Sequence, residues 1–258
     1  MSTLPNSILT EAQDGILLIT INRPEMRNAF DRAAAEQMEM AMDRLDETPE
    51  LFIGVITGAG GAFSVGADLR AVSRGEWPET KRRGAFGIFR QPSRKPLIAA
   101  VEGYAVGGGM ELCLACDIIV AAETARFGLP EVKHNLVAIG GGLIRLQHRV
   151  PYNIAMEMAL TGAIKEAAFL HQWGFVNKLC AHDTALATAM AFARSLLANG
   201  PTALAASKEI MFRSRSWADE AEAWDKQSVI AERAIKSDDF KEGLAAFAEK
   251  RKPIWKGS

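Results

Sequence analysis

Short runs of continuous apolar residues alternate along this chain with longer segments whose apolar positions recur every three or four residues. Residues 15–22, 51–57, 97–101 and 117–122 are β-branched and almost uniformly apolar, which predicts strands buried on both faces. Between the first two lies 31–48, a helical pattern with Asp31 placed as N-cap and Pro49 just past its end. Residues 151–161 predict a second helix stopped by Gly162, and 165–173 a third stopped by Gly174. The alternation predicts an α/β fold with parallel strands. From Asp183 onward the pattern is helical only, over 183–199, 201–214, 217–236 and 238–250. The Gly200-Pro201 break divides a core of 1–199 from a C-terminal helical module of 200–258. Residues 77–91, with Gly84, Gly87 and flanking prolines, predict an irregular, mobile stretch.

Composition adds bounds rather than an answer. The 258 residues are 48% hydrophobic and 24% charged, ordinary for a globular protein, and the net charge of -1 argues against a coat for nucleic acid or anionic membrane. Three cysteines are too few for a disulfide framework. No Lys or Arg precedes Arg23, and no apolar run approaches a membrane span, so a cytoplasmic protein is expected.

Two glycine-rich segments break the pattern of ordinary loops. Residues 56–69 and 101–112 each leave a buried strand and approach a helix, and the second contains Gly107-Gly108-Gly109. Successive glycines let backbone approach a ligand, and free amides at a helix start suit an oxygen that becomes negative. Glu111 lies three residues after Gly108, on the same helix face. It reads equally well as a catalytic carboxylate or as a first-turn acid satisfying the helix dipole. Glu131 follows the stiff Leu129-Pro130 turn, a spacing that also describes a common helix opening.

Taken together these residues resemble the crotonase (enoyl-CoA hydratase/isomerase) superfamily over nearly the whole chain. The likeness runs through Asn22-Arg-Pro24, Arg27-Asn-Ala29, Phe63-Ser-Val-Gly-Ala-Asp-Leu69, Val101-Glu-Gly-Tyr-Ala-Val-Gly-Gly-Gly-Met-Glu-Leu112 and Phe127-Gly-Leu-Pro-Glu-Val132. It continues through Gly140-Gly-Gly142, Arg145-Leu146, Leu160-Thr-Gly162 and Glu249-Lys-Arg251. The resemblance implies a spiral of β-β-α turns with a helical C-terminal region that forms trimers, often paired as hexamers. It implies an oxyanion hole from the amides of Ala67 and Gly108. It also implies hydration of a trans-2-enoyl-CoA, with Glu111 activating water and Glu131 protonating Cα, since family isomerases commonly keep only the glutamate matching Glu131. Coenzyme A contacts are implied for Met26, Arg27, Ala29, Ala67, Asp68, Leu69 and Arg70, and for Lys250, in the last case across a subunit boundary. Coenzyme A enters as part of the substrate, with no permanently bound cofactor or metal. An isomerase, another enolate reaction, or a non-catalytic coenzyme A- or RNA-binding relative are the alternatives. Ser64-Val65 and the proline-free 135–139 depart from the usual pattern beside the acyl pocket, so the acyl group stays open.

Other motifs compete for attention. Ala62-Phe-Ser64-Val-Gly66 resembles a relaxed nucleophile elbow but lacks a late histidine. Thr57-Gly-Ala-Gly-Gly61 resembles a dinucleotide loop without its third glycine. Cys113-x-x-Cys116 has zinc or redox spacing, though inside a helix it also reads as one packed face. The basic residues Arg74, Lys81, Arg82, Arg83, Arg90, Arg94 and Lys95 have only Glu76 and Glu79 as acidic neighbours in the sequence, which fits a solvated face, a phosphate screen or an RNA-binding patch.

Overall fold

The computed structural model describes residues 6–258. The chain opens with β1 (Ile8–Gln13) and β2 (Ile16–Ile21), followed by α1 (Arg32–Glu47), β3 (Ile53–Gly58) and α2 (Leu69–Ser73). A two-residue ribbon, β4 (Glu79–Thr80) and β5 (Gly84–Ala85), precedes β6 (Leu97–Val101), β7 (Tyr104–Val106) and α3 (Gly108–Ala115). Next come β8 (Ile118–Ala122), β9 (Arg126–Gly128), α4 (Gly142–Leu146), α5 (Tyr152–Thr161), β10 (Ile164–Glu166), α6 (Ala167–Gln172) and β11 (Lys178–Cys180). Four helices close the chain: α7 (Ala185–Leu196), α8 (Pro201–Arg213), α9 (Glu220–Ile235) and α10 (Asp238–Glu249).

The main sheet runs β1-β2-β3-β6-β8-β11, parallel throughout except for the antiparallel edge strand β1. Its inner strands are apolar on both sides because both faces are covered. Ile16, Ile53, Val55, Ile98, Ala100 and Val120 pack on Ala189 and Ala193 of α7. Leu17, Ile19, Ile21, Ile56 and Ala99 face the larger core with Ala34, Met38 and Met42 of α1. Asp31 caps α1, accepting from Ala34 N at 2.8 Å. A smaller sheet, β10-β9-β7, stands beside the first. Each turn of the chain places one strand in the main sheet, one in the smaller sheet, then a helix: β6, β7, α3 is the clearest example. The turn before it follows the same path, with β3 leading to Ser64, which bridges Ala105 of β7, and then to α2. This is the expected spiral.

Three expectations need correction. Residues 164–166 are strand rather than helix, because pairing of Lys165 with Phe127 and of Glu166 with Arg126 overrides helical propensity. The helix begins at Ala167. The edge strand β1 and the three-residue strands β7, β9, β10 and β11 escape periodicity, being too short or too polar to show it. Residues 77–91 are irregular, yet firmly anchored rather than loose. Arg83 is buried and pairs with both Asp43 and Asp46 of α1 at 2.8 Å, while Phe86 and Phe89 enter the core. No helix of the described residues is long and apolar enough to cross a membrane.

Candidate active site

Parallel strands release their loops at one edge of the sheet, and the two glycine-rich loops leave β3 and β6 there. Asn28, fully buried at positive φ, organises the first loop: its amide donates to Ala59 O at 2.8 Å and Ala62 O at 2.7 Å. Ser64 Oγ donates to Asn28 O at 2.8 Å and accepts from Gly66 N at 3.2 Å. Buried and bonded in this way, Ser64 is a structural knot, and the nucleophile-elbow reading fails.

Ala67 forms a parallel bridge with Phe30, in which Phe30 N donates to Gly66 O and Phe30 O accepts from Asp68 N, each at 2.8 Å. The Ala67 N–H therefore points away from Phe30. Gly108 begins α3, where first-turn amides have no helical acceptor. Among the described residues neither amide meets a protein acceptor. The two turns touch only because Gly66 has no side chain: a Cβ there would lie 2.9 Å from Gly108 N. Gly107, at φ 56 and ψ -130, holds a conformation open to glycine and so aims the following amide.

Glu111 is 5% exposed, and its Oε1 accepts from Gly142 N at 2.8 Å. A Cβ on Gly140 would stand 2.6 Å from Glu111 Oε2 and one on Gly142 2.9 Å from Oε1, so this turn fits around the carboxyl because it is glycine. Burial pushes Glu111 up to about 7; the Gly142 amide opposes this, the nearby Glu131 charge adds to it, and the Gly140 amide and Arg145 oppose it. Glu131 sits in a 3-10 turn, Pro130–His134, with Oε1 3.2 Å from where a Gly107 Cβ would be. Burial raises it too, and its Oε2 is buried with no partner. The two glutamates thus meet beside Gly107 and Gly108.

Of the proposed coenzyme A contacts, the structure brings 26–29 against 64–68 through the Val65 N to Arg27 O bond. Arg27 and Leu69 are exposed, whereas Ala29 and Asp68 are buried. The Asp68 carboxylate caps α2 and meets Arg23 at 3.4 Å. Lys250, the left-handed C-cap of α10, is exposed and lies in the C-terminal helices, without an ion pair among the described residues. Sequence reasoning missed Gly140 and Gly142 as a cradle; their signal was a second triple glycine with no turn to explain it.

The competing motifs dissolve. Cys113 and Cys116 are fully packed, with burial holding the Cys113 thiol well up and pushing Cys116 up to about 12. Neither joins the one metal-type cluster among the described residues, Glu102, His182 and Asp183. Within the basic stretch two members pair with acids of α1, Arg82 with Asp43 and Arg83 with Asp43 and Asp46, while Lys95 Nζ donates to Thr48 O and Leu51 O at 2.7 and 2.6 Å.

A two-sheet spiral with paired free amides at adjoining strand-to-helix turns defines a crotonase-fold protein. The chain belongs to the enoyl-CoA hydratase/isomerase family, whose model matches residues 11–258. It is 38% identical over 251 residues to mevalonyl-coenzyme A hydratase of Aspergillus fumigatus, covering 94% of this chain and 92% of that protein. It is 40% identical over 250 residues to carnitinyl-CoA dehydratase of Salmonella typhi, covering 94% and 95%. Its fold matches a solved enoyl-CoA hydratase of Mycobacterium marinum with a TM-score of 0.94 and 50% identity, over 98% of this chain and 99% of that one.

Proposed function

We propose that the protein adds water reversibly across the Cα=Cβ bond of a trans-2-enoyl-CoA, yielding a 3-hydroxyacyl-CoA. The observation that carries this reading is the pair of neighbouring carboxyls, both raised by burial, beside the Gly107-Gly108 turn. The Ala67 and Gly108 amides receive the thioester oxygen, which draws electrons from Cβ and holds the negative charge of the enolate; each such donor contributes roughly 3–4 kcal/mol. Ionised Glu111 takes a proton from water as its oxygen bonds to Cβ, and protonated Glu131 gives a proton to Cα. In dehydration the two exchange roles. Water supplies the hydroxyl on Cβ, and the proton gained by Glu111 returns through solvent to Glu131, which resets the pair for the next turnover.

Residues 26–29 and 67–70 hold coenzyme A in this reading, and Lys250 reaches it from a neighbouring subunit of a trimer or of paired trimers. Turnover of a panel of trans-2-enoyl-CoA and 3-hydroxyacyl-CoA thioesters in deuterated water tests the proposal. Water addition with deuterium at Cα is the expected result. Glu111→Gln and Glu131→Gln should each lower kcat by about 100-fold or more while coenzyme A still binds. Full activity in either variant overturns the two-carboxylate mechanism. Double-bond migration without uptake of water would assign isomerisation instead.

A further inference from the structure

Two arginines are buried here, and they are held in opposite ways. Arg83 has two carboxylates in contact, Asp43 and Asp46. Arg145, on α4, is 8% exposed, and among the described residues no carboxylate pairs with it directly. Its Nη2 donates to Phe89 O at 2.5 Å, and its Nη1 is buried without any partner. Burying a guanidinium costs several kcal/mol unless charge compensates it. Arg215 and Arg149 oppose its charge, whereas Glu111 favours it more than any other group does.

The guanidinium lies directly under the Glu111 cradle. A Cβ on Gly141, at φ 104, would stand 2.7 Å from Arg145 Nη1 and 3.1 Å from its Cζ. The peptides on either side of Gly141 carry Gly140 and Gly142, which wrap Glu111. The Phe89 ring closes the same turn, 2.4 Å from where a Gly140 Cβ would be. Phe89 stacks on Phe86 at 4.7 Å, and Phe86 presses its ring against Gly108.

We propose that Arg145 is a positioning residue for Glu111: fastened to the Phe89 carbonyl, it clamps the Gly140–Gly142 turn around the carboxylate and supplies the buried positive charge that accompanies ionisation. Its catalytic consequence rests on the hydratase reading above, but its effect on Glu111 does not. Burial acts most on Glu111, followed by the Gly142 amide, the Glu131 carboxyl from the 3-10 turn, the Gly140 amide and Arg145. Arg145 is the one full positive charge among them. Removing it leaves Glu131 and burial unopposed except by two amides, so Glu111 should hold its proton to higher pH.

The test titrates Glu111 directly, in intact protein with carboxyl-13C glutamate, assigning its resonance by loss in Glu111→Gln. Wild type should titrate near pH 7. Arg145→Gln, which keeps a polar amide but carries no charge and is too short to reach Phe89 O in place, should raise the midpoint by about one pH unit. Arg145→Lys, which keeps the charge, should restore it. An unshifted midpoint in Arg145→Gln, or equal shifts in both variants, overturns the proposal; a merely structural arginine would change stability and leave the midpoint alone. Should Arg145→Gln not fold, amide exchange in Arg145→Lys decides: loss of the planar fork should speed exchange of Gly142 N–H at least about tenfold, and unchanged protection overturns the clamp. Because neither readout needs turnover, a wild type inactive on every enoyl thioester would sink the functional reading while leaving this one standing or falling on its own.

Discussion

Glu111 stands under opposed influences, and their sum has a sign that stability measurements can read. In the unfolded chain this carboxyl ionises near its ordinary value of 4.5, whereas folding raises it to about 7. Below 4.5 both states hold the proton and the raised value carries no penalty. Between 4.5 and about 7 the unfolded state releases its proton first, so this group's contribution falls as pH rises. Above that window the loss is complete, on the order of 3 kcal/mol. Glu111→Gln stays neutral throughout, so it should gain stability over wild type above pH 7 and show little gain near pH 4. Urea unfolding at the two pH values checks it, and equal gains at both would refute a raised native carboxyl. In the sequence Glu111 was an even choice between catalyst and helix cap. Position in a first turn is local, but the turn that encloses the carboxyl is built by Gly140 and Gly142, distant in the chain.

The segment of residues 77–91 carries the element-scale lesson. Its glycines correctly predict irregular backbone, and Phe86 even adopts a positive φ of 55. Mobility does not follow, because α1 supplies acids that the local sequence lacks. Arg83 is gripped by Asp43 and Asp46, its amide donates to Glu39 at 3.1 Å, and Glu39 also bonds Thr80. Arg83→Met should leave the Asp46 carboxylate with Ser93 Oγ and Arg94 N but without its close cation, and destabilise the protein by about 3 kcal/mol. Adding Asp46→Asn should return part of that loss. Thermal or denaturant unfolding of the single and double variants measures both, and an Arg83→Met protein as stable as wild type would disprove the latch. The same segment aligns the Phe30–Phe86–Phe89 stack, with ring centroids 4.2 and 4.7 Å apart, which links the Gly108 turn to the Glu111 cradle. An element read as loose is therefore part of the site's frame.

At the scale of the whole molecule, large apolar side chains remain on the surface of the single chain. Phe247 is 86% exposed, Ile139 82% and Met211 74%, and Phe240 and Leu244 join them on α10. Extended exposed apolar surface marks places that another surface covers. The assembly proposed here predicts a solution mass of three or six times the 28.0 kDa chain. Light scattering on a sizing column measures it. A monomer at micromolar concentration would remove the proposed route by which Lys250 reaches coenzyme A.

Order along the chain determined much of this protein. Continuous apolar runs specified the buried parallel strands, Asp31 and Gly162 specified helix ends, and glycines marked the two strand-to-helix turns that carry the Ala67 and Gly108 amides, because each signal acts within a few residues of where it is written. Tertiary structure alone decided the rest. It brought Gly66 against Gly108, wrapped Gly140 and Gly142 around Glu111, set Glu131 beside Gly107 and placed Arg145 beneath them. Burial and electrostatic coupling depend on distances in space, and these groups are tens of residues apart in sequence.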